Sequence, residues 1–424
     1  MLQVLSGVWA LLVGMVFIMI GNGMHFTLIG LRGGIEGFSP AELAIVTSGY
    51  FVGFLSGARL SPGMIRRVGH VRVFAALGSF MSAGLIAFPL IAEPWAWTIL
   101  RILVGFCMSG VYVTAESWLN NAATNETRGK VLSAYMLAQT LGVIAAQGLL
   151  TVGDAASAAL FIGASILVSL SFGPILLSVQ PAPATELAKP MGLIALYRNS
   201  PLAAVGIFLL GGVFAAQSGM GAVYATQIGM STSQTALFVA MSFAGSLVLQ
   251  YPVGWLSDRM DRRLLILGAA LFGGAACGLG YVAGEIRILM AAAFLMGGVA
   301  TPLYALFIAY TNDYLQVEDM PAASGGLVFV YGLGAIFGPL AAGAVMEWVG
   351  AEGFWLVTLG FFAAIAGYAG WRMTQRPGVP VDETDSYLGV LPTSSPVALE
   401  AAGAWAVDQA EAEAEQEAAT DQSS

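Results

Sequence analysis

Apolar residues run through most of this chain in long blocks, broken at intervals by short polar or Gly/Pro-containing stretches. The blocks fall at about 5–29, 41–60, 73–92, 97–119, 131–152, 157–179, 202–224, 234–256, 264–284, 288–311, 323–345 and 353–371. A hydrocarbon core about 30 Å thick is crossed by roughly 20 apolar residues of helix, so each block predicts one membrane span. The first block lacks the basic flank and small-residue cleavage pattern of a signal peptide and is expected to be retained.

The polar positions repeat as well. Residues 57–147 reappear 192 positions further on, and Gly105 and Gly297, Tyr112 and Tyr304, Asn120 and Asn312, and Gly142 and Gly334 all keep that offset. Two halves of about six spans each are expected to enclose one site between bundles that rock against each other. The expected fold class is an all-α membrane protein of twelve helices in two pseudo-symmetric bundles. The expected divisions are 1–179, a linker at 180–200 rich in Pro, a second bundle at 201–372, and a tail at 373–424.

Composition strengthens the membrane reading, with 58% hydrophobic and 10% charged residues and a mean hydropathy of +0.80. A soluble domain has about 25% charged residues. The net charge of −9 is local in origin, because residues 377–424 carry ten of the 25 acids and no Lys or Arg. Such a segment is expected to be solvated and disordered. Of the 16 Lys and Arg, only Arg32, Arg101 and Arg287 fall on the outer half if both termini are cytoplasmic, which puts both ends inside. Cys107 and Cys277 both fall within spans and are expected to pack as small hydrophobes rather than to form a disulfide.

The loop Gly254-Trp255-Leu256-Ser257-Asp258-Arg259-Met260-Asp261-Arg262-Arg263, and less completely Pro62–Arg72, resembles the inter-helix motif of the major facilitator superfamily. Arg101-Ile102-Leu103-Val104-Gly105 is similar to that family's fourth-helix motif, and Gly334–Pro339 to its Gly-Pro motif, displaced to the eleventh helix. Glu116–Asn120, Asn125–Gly129 and Thr311–Tyr314 look like a bacterial branch near the drug and sugar porters. The resemblance implies the twelve-helix fold, a place in the bacterial inner membrane, and gating roles for Asp258, Arg259, Arg128 and Asp313. In the first half Arg66 stands where the family motif has its acid.

An ionisable side chain within a bilayer is costly, about 2.5 kcal/mol or more at a helix centre, so each one calls for a reason. Asn22 and His25 share a face of the first helix, Arg101 sits in the outer half of the fourth, and the repeat mate of His25 is Gln217. With Gln139, Gln147, Gln250, Tyr304 and Tyr331 they are the candidate substrate contacts, Tyr331 being the repeat mate of Gln139. An anionic group on the solute would face Arg101. Glu116 is a carboxylate placed within a span, four residues before Asn120 at the inner end of the fourth helix, and the candidate coupling switch pairs it with Arg66 or Arg67.

No nucleotide loop, metal-ligand cluster or nucleophile with a base partner occurs, so neither catalysis nor a cofactor is expected. The expected partners are a small-molecule substrate, protons and the lipid bilayer, without nucleic acid, for a monomer. The expected function is secondary transport of a small organic solute. The competing class is a membrane sensor that keeps a transporter fold.

Overall fold

The structure, a computed structural model, describes residues 2–177, 191–316, 319–375, 378–380, 384, 387, 389–399, 401–403 and 405. Among these residues, 12 helices are long and apolar enough to cross a membrane. They are α1 (Leu2–Ile35), α2 (Pro40–Val68), α3 (His70–Ala87), α4 (Pro94–Ala122), α5 (Asn125–Leu150) and α6 (Ala159–Leu170, continued by Phe172–Leu177). The second set is α7 (Pro201–Ala215, continued to Gln227 through a π turn at Ala216–Met220), α8 (Thr232–Ser257), α9 (Arg262–Val282), α10 (Ile286–Asn312), α11 (Met320–Val349) and α12 (Gly353–Met373). Of the expected linker, residues 180–190 lie outside the described residues, and Leu193–Asn199 forms a short helix whose Leu196 is buried.

The 192-residue offset governs how helices begin and how they touch. Ser39 and Glu42 form a capping box at the start of α2, and Ser231 and Gln234 form the same box at the start of α8. A Cβ at Gly53 would overlap the Ile102 carbonyl, and one at Gly105 the Tyr50 carbonyl. The mates Gly245 and Gly297 meet Phe294 and Ser242 in the same register, so α2–α4 and α8–α10 approach backbone to backbone. One position breaks the rule for a reason. Gly69 turns between α2 and α3 at φ +86°, whereas its mate Asp261 has φ −54° and caps α9 by accepting the Arg263 backbone N–H. Both cysteines are unpaired and buried.

The two bundles pack tightly at one end. Gly30 of α1 packs on Ala222 and Val223 of α7, Gly343 of α11 on Ala44 and Pro40 of α2, and the Ser48 hydroxyl donates to the Ile336 carbonyl at 2.8 Å. At the other end, which carries the Arg66–Arg72 and Asp258–Arg263 loops and is here called the basic end, α5 and α8 flank a cavity of about 570 Å3.

The chain after α12 departs from the expected solvated appendage. Val390, Val397, Leu399 and Ala401 are all at most 5% exposed. The physical reason is compositional, since 386–407 contains a single acid, Glu400, among Tyr, Leu, Val and Ala residues, and the apolar side chains just named gain by leaving water. Residues 406–424, where most of the remaining acids fall, lie outside the described residues.

Candidate functional site

A cavity of about 100 Å3 lies between the bundles, walled by Phe26, Tyr50, Phe51, Phe54, Phe214 and Phe243. Of the expected substrate contacts, Asn22, Gln139, Gln147 and Tyr331 line it. No charged side chain is among its lining residues. The four polar groups are not equivalent. Gln147 is already satisfied, accepting from Thr27 Oγ1 at 2.9 Å and donating to the Gly23 carbonyl at 3.4 Å, which ties α5 to α1. Gln139 has both amide atoms buried without a partner, and Asn22 Oδ1 and the Tyr331 hydroxyl are likewise unpartnered. A buried polar group left unsatisfied costs about 1–3 kcal/mol, so these atoms are poised to be repaid by a ligand that both donates and accepts.

The other five candidates sit elsewhere. Tyr304 lies behind Tyr331, their rings 5.2 Å apart and edge to face, and Gln217 is buried in the π turn of α7. Gln250 faces the basic-end cavity, where its Nε2 donates to the Tyr387 hydroxyl at 2.9 Å. Arg101 is fully buried and neither snorkels nor reaches the cavity. Its guanidinium carbon stands 4.2 Å from the Phe26 ring centre and 4.7 Å from that of Tyr50, while Nη1 donates to His25 Nδ1 at 3.1 Å. His25 is itself enclosed by Phe88 and Phe161. The same two rings that face the cavity thus face Arg101 on their other side. Arg101 and His25, expected to meet the solute, are therefore not among the residues that line this cavity. Aromatic faces and one imidazole stabilise the cation in place of a carboxylate.

At the basic end Glu116 is 1% exposed, but it does not pair with Arg66 or Arg67, whose side chains are exposed. Tyr135 of α5 donates to Glu116 Oε1 at 3.1 Å, and the Ser395 backbone N–H donates to Oε2 at 2.8 Å. The expected ion pair is not formed in this structure, where the carboxylate is held by Tyr135 and Ser395 instead. Asp258 accepts the backbone N–H of Tyr387 at 2.8 Å, Arg259 stacks on Trp255, and Arg128 keeps a buried, unpartnered Nε. Asp313 forms a buried pair with Arg262, which also donates to Ser257 Oγ and the Ala309 carbonyl, locking the α8–α9 loop onto α10.

Sequence reasoning missed Tyr135, Tyr387 and Ser395. The signal for the last two was the low charge of 386–407 within an otherwise acidic tail. Burial pushes the Tyr387 phenol well above its ordinary value, so it acts as a neutral donor to the Pro302 carbonyl and acceptor from Gln250. Burial alone would raise the Asp261 carboxyl, but the hydrogen bonds and charge of Arg263 hold it below the usual carboxylate range. Among the described residues no group of His, Cys, Asp and Glu could hold a metal ion.

A sequence profile described as Major Facilitator Superfamily matches residues 11–242 and, in a second match, 202–398. The uncharacterised MFS-type transporter YcaD of Escherichia fergusonii is 25% identical over 343 residues, which are 80% of this chain and 89% of its own length. An uncharacterised MFS-type transporter of Enterobacter sp. (strain 638) is also 25% identical, over 80% of this chain and 88% of its own. Among solved structures, the nucleoside transporter NupG superposes with a TM-score of 0.69 at 15% identity, over 87% of this chain and 99% of that one. A bacterial homologue of the human lysosomal transporter Spinster, in an inward-facing and occupied conformation, does so at 0.71 with 13% identity, over 88% and 97%. At these identities the structures speak for the fold alone.

Proposed function

The chain belongs to the Major Facilitator Superfamily, and from that premise we propose that this integral membrane protein moves a small, uncharged, largely apolar organic solute by alternating access. The observation that carries this reading is the central cavity: a largely aromatic wall, no charged lining residue, and the unpartnered amide of Gln139 beside Asn22 and Tyr331. An aromatic enclosure rewards a flat apolar body, and an amide with both atoms free rewards a hydrogen-bonding edge. An anion would have to give up its hydration without gaining a cation, which low-dielectric burial makes prohibitive.

Both termini are assigned to the cytoplasm on the distribution of Lys and Arg, so the basic end faces inward. The tight Gly30 and Gly343 contacts then close the outer end in this structure. The coupling ion is assigned as a proton, with Glu116 the carboxyl that takes it, since it is a buried acid near the basic end of its span where α4 meets α5. A carboxyl that is alternately buried and exposed binds its proton with different affinity in the two states.

One observation favours the sensor reading, namely that residues of the C-terminal segment stand in the route to the cavity. Purified protein in liposomes with an imposed pH gradient separates the two. Accumulation of neutral heteroaromatic solutes, with anionic analogues excluded, is the expected result. Binding of such solutes without any flux or counterflow would favour the sensor.

A further inference from the structure

The segment after α12 crosses the basic-end opening and is fastened to both bundles. On one side Tyr387 is held by the second bundle, through the Asp258 carboxylate, the Gln250 amide and the Pro302 carbonyl. Its ring also fits against Gly254, where a Cβ would leave it no room. On the other side the Ser395 N–H is held by Glu116 of the first bundle. Between these anchors Leu391, Pro392 and Thr393 form part of the central cavity wall, and beyond them Val397 and Leu399 are 1% and 3% exposed. Trp405 lies against Gly129 at the start of α5.

A strand fixed to α8 and α10 at one anchor and to α4 at the other spans the gap that must change width when two bundles rock. It also fills the passage by which a solute would leave the cavity at this end. We propose that residues 387–403 are an autoinhibitory strap, which blocks the basic-end route to the central cavity and holds the two bundles in one relative position until it is displaced. Tyr387 is suited to reversible docking, because its hydroxyl and N–H use neutral and single-charge hydrogen bonds, each modest in net strength. The inhibitory consequence rests on the transport reading above, whereas the position of the strap does not.

The test needs no solute. In a Cys107→Ala, Cys277→Ala background, Ser246→Cys reports on the cavity, since Ser246 borders both the central and the basic-end spaces. In inside-out vesicles, a membrane-impermeant maleimide should label this thiol about tenfold faster after deletion of residues 387–424, as the open fraction rises. Val397→Glu in the full chain, which places a charge at a sealed position, should accelerate labelling in the same direction. In a separate protein that keeps Ser246, a short bismaleimide should join Gln250→Cys to Tyr387→Cys within one chain. Equal labelling with and without the segment overturns the strap. Should the deletion fail to fold, absence of the cross-link in the full chain overturns it equally. If labelling and cross-linking succeed but no solute crosses liposomes, the strap stands and the transport reading fails.

Discussion

The carboxylate of Glu116 accepts the backbone N–H of Ser395, 279 residues away, at 2.8 Å, while its other oxygen accepts the Tyr135 hydroxyl at 3.1 Å. A carboxylate can accept on both sides, whereas an amide accepts on one and donates on the other. Glu116→Gln can keep both contacts only if its oxygen accepts the Ser395 N–H and the Tyr135 hydroxyl turns from donor to acceptor, so it is expected to weaken the hold on the chain end by removing the charge from both bonds. If Glu116 is also the proton carrier, the variant retains solute exchange but loses accumulation driven by a pH gradient. Unchanged pH-driven accumulation in the Gln variant would remove Glu116 from coupling.

Arg101 is expected to matter for stability more than for solute affinity, because Phe26 and Tyr50 stand between it and the cavity. A desolvated cation over an aromatic face is worth roughly 2 kcal/mol, and lysine cannot stack as the planar guanidinium does. Arg101→Lys should lower the melting temperature in detergent while leaving the half-saturating solute concentration within about twofold. A large loss of affinity in a fully folded Lys variant would return Arg101 to the binding site.

Gln139 and Gln147 should separate. Gln139 has free amide atoms in the cavity, so Gln139→Ala is expected to weaken solute binding by about tenfold with little loss of stability. Gln147 ties α5 to Thr27 and Gly23, so Gln147→Ala should instead reduce thermal stability by about 1 kcal/mol. Paired binding and melting measurements on the two variants check the assignment.

The glycine register can be tested by symmetry. Gly53→Val and Gly245→Val each drive a side chain into a carbonyl of the facing helix and are expected to abolish folded protein, measured as monodisperse yield in detergent. Gly148→Ala has open space around it and should be tolerated. Normal yield from either Val variant would show that the helices can separate at that contact.

Asp261 supplies a pH-dependent term. Its carboxyl is held low in the folded state, so its contribution is present above the unfolded carboxylate range near pH 4 and is lost as pH falls through the folded value. Because the pair is partly exposed, solvent screening limits the effect to a few tenths to about 1 kcal/mol. Asp261→Asn should melt slightly below the parent at pH 7, and the gap should close in acid. A gap that widens at low pH would contradict the Arg263 assignment.

What the sequence determined by itself is what depends on neighbours along the chain. Apolar runs of membrane length specify twelve spans, and the 192-residue offset specifies not only two halves but, through Ser39 and Ser231 and through Gly53 and Gly245, the same caps and the same contacts in each. Asn22, Gln139, Gln147 and Tyr331 were legible as cavity residues because a polar side chain within an apolar span needs a polar or internal environment, and Gln139 and Tyr331 also share a matched position in the repeat. What tertiary structure decided is the company each polar group keeps. Arg101 is turned into an aromatic enclosure rather than the cavity, since its direction is set by packing among α1, α2 and α4. Glu116 meets Ser395 rather than Arg66, and a low-charge segment inside an acidic tail finds the one apolar opening the bundles leave. Those contacts join residues far apart in the chain, and burial of apolar surface selects among such partners only once the opening itself has formed.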